Sequence, residues 1–396
     1  MILSKKAEKI GASLTLALTA KAGELKKQGL DVVSFGVGEP DFNTPNNIIE
    51  AATKAMVEGK TKYTPASGIF ELKDAICRKL YIDNGLKYNS SNIVISTGAK
   101  QSLANVFMAI LNPGDEVIVP VPYWVSYPEL IKLCDGVPVF IETKKENDFK
   151  VTYEELNKVL TSKTKAIVLN TPNNPTGTVY SKEDLEEIAK FAKEHDIIII
   201  SDEIYEKLIY GEEEHVSIAS LSEDAFNRTI VINGFSKAYA MTGWRIGYAA
   251  SSNENLVKII SNVQSHMTSN PNSIAQYAAL EALIGEQETV NNMVEEFSLR
   301  RELMIKLINE IEEVSFINPK GAFYVMIDLS KVLEKGNISG SMEFANLLLK
   351  EEKVVVIPGI AFGEDNFIRL SYATSKDEIL RGLERIKNFI EKIVNN

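Results

Sequence analysis

The chain has 396 residues, 45% hydrophobic and 24% charged, a balance typical of a globular protein and enough length for two cores. A formal net charge of -11 argues against nucleic acid or an anionic membrane as partner, yet leaves room for a small positive pocket around an anionic ligand. Two distant cysteines (Cys77, Cys134) without a CxxC pair, and three scattered histidines (His195, His215, His266), speak against a disulfide framework and a metal site and suit a reducing cytosol.

The opening stretch to Lys27 has charges on both sides of a short apolar run broken by threonines. It reads as neither a signal peptide nor a membrane span, and the expectation is a soluble cytoplasmic protein. A regular alternation follows from about residue 46. Apolar, β-branched runs at 93–95, 116–119, 137–140, 165–169, 197–200, 229–232 and 244–250 predict seven strands. Amphipathic stretches at 100–111, 124–133, 153–160 and 181–194 predict helices between them. Continuous apolar strands separated by helices indicate an α/β fold with a mostly parallel seven-stranded sheet covered on both faces.

The pattern changes near residue 288. A long charged helix over 288–313 precedes short strands at 322–327, 354–357 and 367–371 and helices at 341–352 and 376–394, which predicts a smaller α+β domain. The expected division is a large domain over 46–287 and a small domain built from 288–396 with the N-terminal segment 1–45.

In an open α/β sheet, ligands collect at the carboxyl ends of the strands. Five predicted ends carry unusual polar residues: 96–100, 120–124, 170–177, 201–205 and 233–237. The small residues Thr97-Gly98-Ala99 lead a strand into a helix and offer backbone N–H groups to a phosphate. Gly36-Val37-Gly38 lacks the third glycine of a dinucleotide turn, since position 41 is Asp, and no Walker A string occurs. Lys237 follows a buried strand, where a cation is costly unless paired or neutral; with a depressed pKa it could form a Schiff base with a carbonyl cofactor. Arg245, on the next predicted strand, could offer a guanidinium fork to that cofactor's phosphate.

The string Ser236-Lys237-Ala238-Tyr239-Ala240-Met241-Thr242-Gly243-Trp244-Arg245-Ile246-Gly247-Tyr248 resembles the lysine signature of the fold-type I, class I/II aminotransferases. N-T-P-N-N-P-T-G at 170–177 and S-D-E-I-Y at 201–205 resemble two further signatures of that family. G-E-P-D-F at 38–42, K-Y-T-P-A-S-G at 62–68 and F-I-R-L-S-Y-A at 367–373 extend the resemblance over nearly the whole chain. With S-L-T at 13–15 and T-G-A-K-Q at 97–101, the chain is most similar to bacterial aspartate aminotransferases.

This resemblance implies pyridoxal 5′-phosphate (PLP) as cofactor, carried by Lys237, which would then serve as general acid and base. Asp202 would pair with the pyridinium nitrogen. Tyr205 and Asn174 would bond the phenolic oxygen, and Trp124 would stack on the ring. Ser236, Arg245 and the Gly98-Ala99 backbone, at the head of the helix begun by Lys100, would hold the phosphate. Tyr63 would arrive from a second subunit, so a homodimer is implied. Arg369 would grip the substrate α-carboxylate beneath Gly38, with Lys100 at the distal carboxylate and Ser13 and Thr15 at the pocket mouth. Cis peptide bonds are expected before Pro122 and Pro175. The implied reaction moves an amino group between an amino acid, first of all aspartate, and a 2-oxo acid, first of all 2-oxoglutarate, with ping-pong kinetics. An aromatic, prephenate or alanine preference stays open, as do a PLP-dependent lyase or synthase and a non-catalytic ligand sensor.

Overall fold

Seven short runs, six of them carrying Val or Ile and the seventh Gly-Tyr-Ala-Ala, form the central sheet of the computed structural model, which describes residues 3–8, 10–12 and 14–395. They are β1 (Ile93–Ser96), β2 (Glu116–Val121), β3 (Val137–Glu142), β4 (Thr164–Asn170), β5 (Ile198–Asp202), β6 (Thr229–Gly234) and β7 (Gly247–Ala250), in the order β1-β7-β6-β5-β4-β2-β3. The pairs β2–β3, β2–β4, β4–β5 and β5–β6 are parallel, whereas β7 runs antiparallel to both neighbours. Every residue of β1, β6 and β7 is buried, as expected when helices cover both faces of a sheet. The mostly parallel seven-stranded α/β sheet expected from sequence is therefore present.

Local chemistry explains the helices. In Lys182–Glu194 the buried Leu185, Ile188, Phe191 and Ala192 recur at helical spacing, while Ser181 and Asp184 close a capping box at its start. Asn46–Val57 packs on Ser273–Ile284, and Asn47 Nδ2 donates to Glu281 Oε1 at 3.0 Å. Several element boundaries differ from the pattern reading. The helix expected from 124 begins at Ser126, with Pro128 in its first turn, where a missing N–H costs nothing. The strand expected from 244 begins at Gly247, because Arg245 takes a left-handed φ of 57° and turns the chain. The long helix ends at Ile308 rather than near 313, with Asn309 as its C-cap and Ile311 buried in the same core as the helix.

A second, four-stranded antiparallel sheet contains Ser315–Phe316, Tyr324–Asp328, Ile357–Pro358 and Phe367–Ser371. Helices Glu288–Ile308, Ser341–Glu352 and Lys376–Val394 cover it, and its core includes Phe297, Phe323, Phe344, Leu370 and Phe389. Val33–Ser34 pairs in parallel with Val354–Val355, and Ala22 on helix Leu14–Lys27 packs with Leu349 and Val355. Farther upstream, Lys6 instead forms an ion pair with Asp135, and the Gly11 amide donates to Glu129. Among the described residues, no helix is long and apolar enough to cross a membrane.

Candidate active site

Because β1 is antiparallel to β7, and β7 to β6, β1 shares its direction with the parallel strands. The carboxyl ends of β1, β2, β4, β5 and β6 therefore lie on one edge, together with the residues that precede β7. A cavity of about 420 Å³ opens there. Ala99, Lys100, Trp124, Asn174, Asp202, Tyr205, Ser236, Lys237 and Arg245 line it from the large sheet, Arg369 and Tyr324 from the small sheet, and Gly38 and Thr15 from the N-terminal segment. Gly98, next to Ala99, is not itself among the lining residues. Tyr63 is 88% exposed and does not line the cavity of its own chain. Ser13 lies outside the described residues.

One end of the cavity is built for an anion. Gly98 caps helix Ala99–Ile110 with a φ of 81°, and a Cβ there would lie 2.4 Å from an Arg245 guanidinium nitrogen. A Cβ on Gly247 would meet the Ala99 nitrogen at 2.3 Å. The two glycines thus let Arg245 and the start of β7 press against the helix N-terminus. First-turn amides have no intrahelical acceptor, and the helix dipole adds positive potential where Arg245 already stands. Arg245 is aimed by a 2.8 Å hydrogen bond to the Thr242 carbonyl, and Ser236 is buried alongside.

The middle of the cavity holds the titratable groups. Lys237 Nζ donates to the Gly38 carbonyl and lies near the Tyr205 and Phe323 rings. Burial lowers its amine to about 8; Glu39 opposes this, and the Arg369 and Arg245 cations add to it. Asp202, at the end of β5, is 4% exposed. Burial raises its carboxyl to about 6, and hydrogen bonds from Tyr127 (2.7 Å) and the Ile204 amide (3.3 Å) stop it rising further. Tyr205 shares a 3.0 Å hydrogen bond with Tyr324.

Arg369 sits in the middle of its strand, paired across to Met326 and Ile357. It is 3% exposed and donates to Asn174 Oδ1 at 2.9 Å and to the Gly36 carbonyl at 3.3 Å, with the Tyr324 ring 4.3 Å away. Its Nε is buried without a partner, and it meets no carboxylate among the described residues. A buried guanidinium lacking a counter-ion is costly, which suits a place where a ligand brings the anion. Lys100 Nζ lies 4.9 Å over the Trp124 ring, its pKa lowered by burial and then by Arg245.

Sequence reasoning missed several lining residues. Tyr127 was legible in principle, since it stands three residues after Trp124 and their rings meet edge to face at 5.3 Å. Tyr324 and the Glu39–Thr242 hydrogen bond (2.6 Å) join distant segments and left no local signal. The expected cis bonds precede Pro122 and Pro175, and a third precedes Pro172. Nor was it foreseen that His215 meets Glu203 and Glu206, whose ligand atoms lie within 4.8 Å of one another. Each carboxylate there already has a partner, since His215 faces Glu203 and Lys79 faces Glu206.

Residues 30–386 match the family model for aminotransferase class I and II. An aspartate aminotransferase of Bacillus sp. (strain YM-2) is 49% identical over 390 residues, covering 98% of this chain and 99% of the relative. The crystal structure of an aspartate aminotransferase from Rhizobium meliloti superposes with a TM-score of 0.95 at 40% identity, covering 99% of each chain. The aspartate aminotransferase from Thermus thermophilus with maleate gives 0.92 at 43% identity, covering 98% of this chain and 99% of that one. A cavity with a lysine of lowered pKa, a buried carboxylate and an anion cradle, set in a chain that matches these proteins almost end to end, leads to one assignment: the chain belongs to the class I and II aminotransferases.

Proposed function

We propose that this aminotransferase moves the amino group of aspartate to 2-oxoglutarate, in the cytoplasm, as a homodimer in which Tyr63 reaches the partner's site. The observation that carries the substrate reading is the pair of cations facing one cavity: Arg369, buried with an unbonded Nε, and Lys100 over Trp124. A dicarboxylate presents one carboxylate to each.

The family's cofactor is PLP, and the residues present fit it. The space that a Cβ at Gly98 or Gly247 would fill is kept clear beside Arg245 and the helix N-terminus, as a phosphate requires. Lys237 would hold the aldehyde carbon, Asp202 the ring nitrogen, Tyr205 and Asn174 the phenolic oxygen, and Ser236, Arg245 and the amides after Gly98 the phosphate, with Trp124 on the ring face. When bound, PLP supplies a conjugated ring into which the electrons of the substrate Cα–H bond can flow.

The protein's own groups perform the remaining work. Arg369 fixes the α-carboxylate, and the backbone of Gly38, which lines the same cavity, would close over it. Lys237, held near pH 8 by burial and two arginines, is available as a neutral base for the Cα proton. Asp202 provides a buried negative charge that favours a protonated ring nitrogen, and Tyr127 keeps that charge in place.

The test is spectroscopic. The visible band of the purified, cofactor-loaded protein is followed as aspartate and then 2-oxoglutarate are added. Bleaching by aspartate and recovery with the oxo acid are expected. Bleaching only by an aromatic amino acid, alanine or the amino acid formed from prephenate would overturn the substrate assignment, and a band unmoved by any amino acid would sink the transaminase reading of this site.

A further inference from the structure

Two glutamines lie fully buried outside the cavity, Gln264 on helix Glu254–Met267 and Gln276 on helix Ser273–Ile284. Burying a primary amide is unfavourable unless its donors and acceptor are all bonded, so buried glutamines mark backbone that needs them. Both serve the same stretch. Gln276 Nε2 donates to Thr64 Oγ1 and to the Pro271 carbonyl, each at 3.1 Å, while its Oε1 accepts the Ile69 amide at 2.8 Å. Gln264 Nε2 donates to the Ala66 carbonyl at 2.5 Å and the Ile95 carbonyl at 2.6 Å, and its Oε1 accepts from Asn105 at 3.0 Å.

The stretch between these anchors has no regular secondary structure. It is fastened further where the Ile95 amide donates to Ser67 O, and where Gly68, at a φ of 99°, packs so close that a Cβ would strike Ile95. The clamp is therefore tight from residue 64 to residue 69. Tyr63, immediately before it, is 88% exposed, and no hydrogen bond to its phenol exists among the described residues. A rigid base beneath a projecting, unengaged tyrosine is the arrangement expected when that side chain acts on something outside its own chain.

We infer that Gln276, supported by Gln264, is a positioning residue for the partner subunit's cofactor site, holding Tyr63 in the direction from which it reaches the phosphate across the dimer. This rests on the reading that Tyr63 crosses to the partner. Gln276 touches neither cofactor nor substrate; it sets the angle of the arm that does.

Mixed dimers test this. In the first arrangement one subunit carries Lys237→Ala and Gln276→Glu together and its partner is wild type, so the only Lys237 site receives Tyr63 from the altered clamp. In the second, the two substitutions are on different subunits, and the Lys237 site receives a wild-type arm. Glu keeps the acceptor for Ile69 but removes the donor to Thr64. The PLP dissociation constant of the Lys237-bearing site, read from the visible band on titrating cofactor-free dimers, is expected to rise about tenfold in the first arrangement and to stay unchanged in the second. Thr64→Val, which removes the acceptor without touching the buried amide, should follow the same asymmetry if Gln276→Glu fails to fold.

Equal losses in both arrangements, loss only in the second, or loss in neither would each overturn the role of Gln276. Tyr63→Phe, placed in the same two arrangements, separates the two ideas. If it is symmetric, the crossing of Tyr63 is what fails. If it is asymmetric and the clamp variants are not, the clamp alone fails.

Discussion

Replacing Tyr127 with Phe removes one hydroxyl and keeps the ring that packs against Trp124. That hydroxyl donates at 2.7 Å to the Asp202 carboxylate, whose pKa burial raises from an ordinary 3.8 to about 6. A carboxyl with a raised folded-state pKa binds its proton more tightly in the folded protein. The cost of burying its charge is therefore absent below about pH 4, and stability falls as the pH rises through 6. A hydrogen bond to a charged group contributes about 1.5–3 kcal/mol, and a pKa unit corresponds to about 1.4 kcal/mol. Losing the bond should thus move Asp202 upward by roughly one to two units, to a pKa of about 7–8. At pH 5 both proteins hold a neutral Asp202, so the variant loses little on this account. At pH 8 the wild-type carboxylate is ionised with help and the variant's without, an additional destabilisation on the order of 1–2 kcal/mol. Urea unfolding of the cofactor-free protein at the two pH values measures this difference directly. A destabilisation by Tyr127→Phe that is the same at pH 5 and pH 8 would refute the claim that this hydroxyl supports the charge.

Other consequences can be checked on the same protein. The rate at which the cofactor-free chain captures PLP should increase through about pH 8 and then level off, because the Lys237 amine reacts only when neutral; a stopped-flow profile still climbing past pH 10 would show an unshifted lysine. Arg369→Lys keeps the charge but loses the planar fork, and kcat/KM for aspartate should fall about tenfold to a hundredfold in steady-state assays. Lys100→Ala should lower kcat/KM for aspartate by about tenfold while sparing alanine, so that the ratio of the two, measured side by side, reports the distal carboxylate contact. Gly98→Ala forces a side chain into a left-handed position 2.4 Å from Arg245, and fluorescence titration should show PLP binding weakened by more than tenfold with the fold intact.

Which parts of this were legible in the sequence follows from how far apart the interacting groups lie. The sheet was readable because each strand announces itself within four to seven residues, and the site's location followed because polar residues at strand ends break an otherwise apolar pattern. Lys237 stood out as a charge beside a buried strand, which is a local conflict with a local signature, whereas Asp202 and Arg369 were reached through the motifs around them. What keeps those charges tolerable is not local. Tyr127 and Asp202 are separated by 75 residues, Tyr205 and Tyr324 by 119, and Asn174 and Arg369 by 195. A tyrosine on a helix face predicts burial whether it ends against a carboxylate or against leucine, so its composition carries no trace of its partner. Gln276, 212 residues from Thr64, illustrates the same limit, since a glutamine among alanines looks like a surface position until the segment it holds is folded beneath it. Sequence thus shows where a polar group would be costly without a partner, and the fold supplies the partner. Residues of the second kind are where further functional roles in this protein should be sought, because their identity is constrained by a contact that no motif encodes.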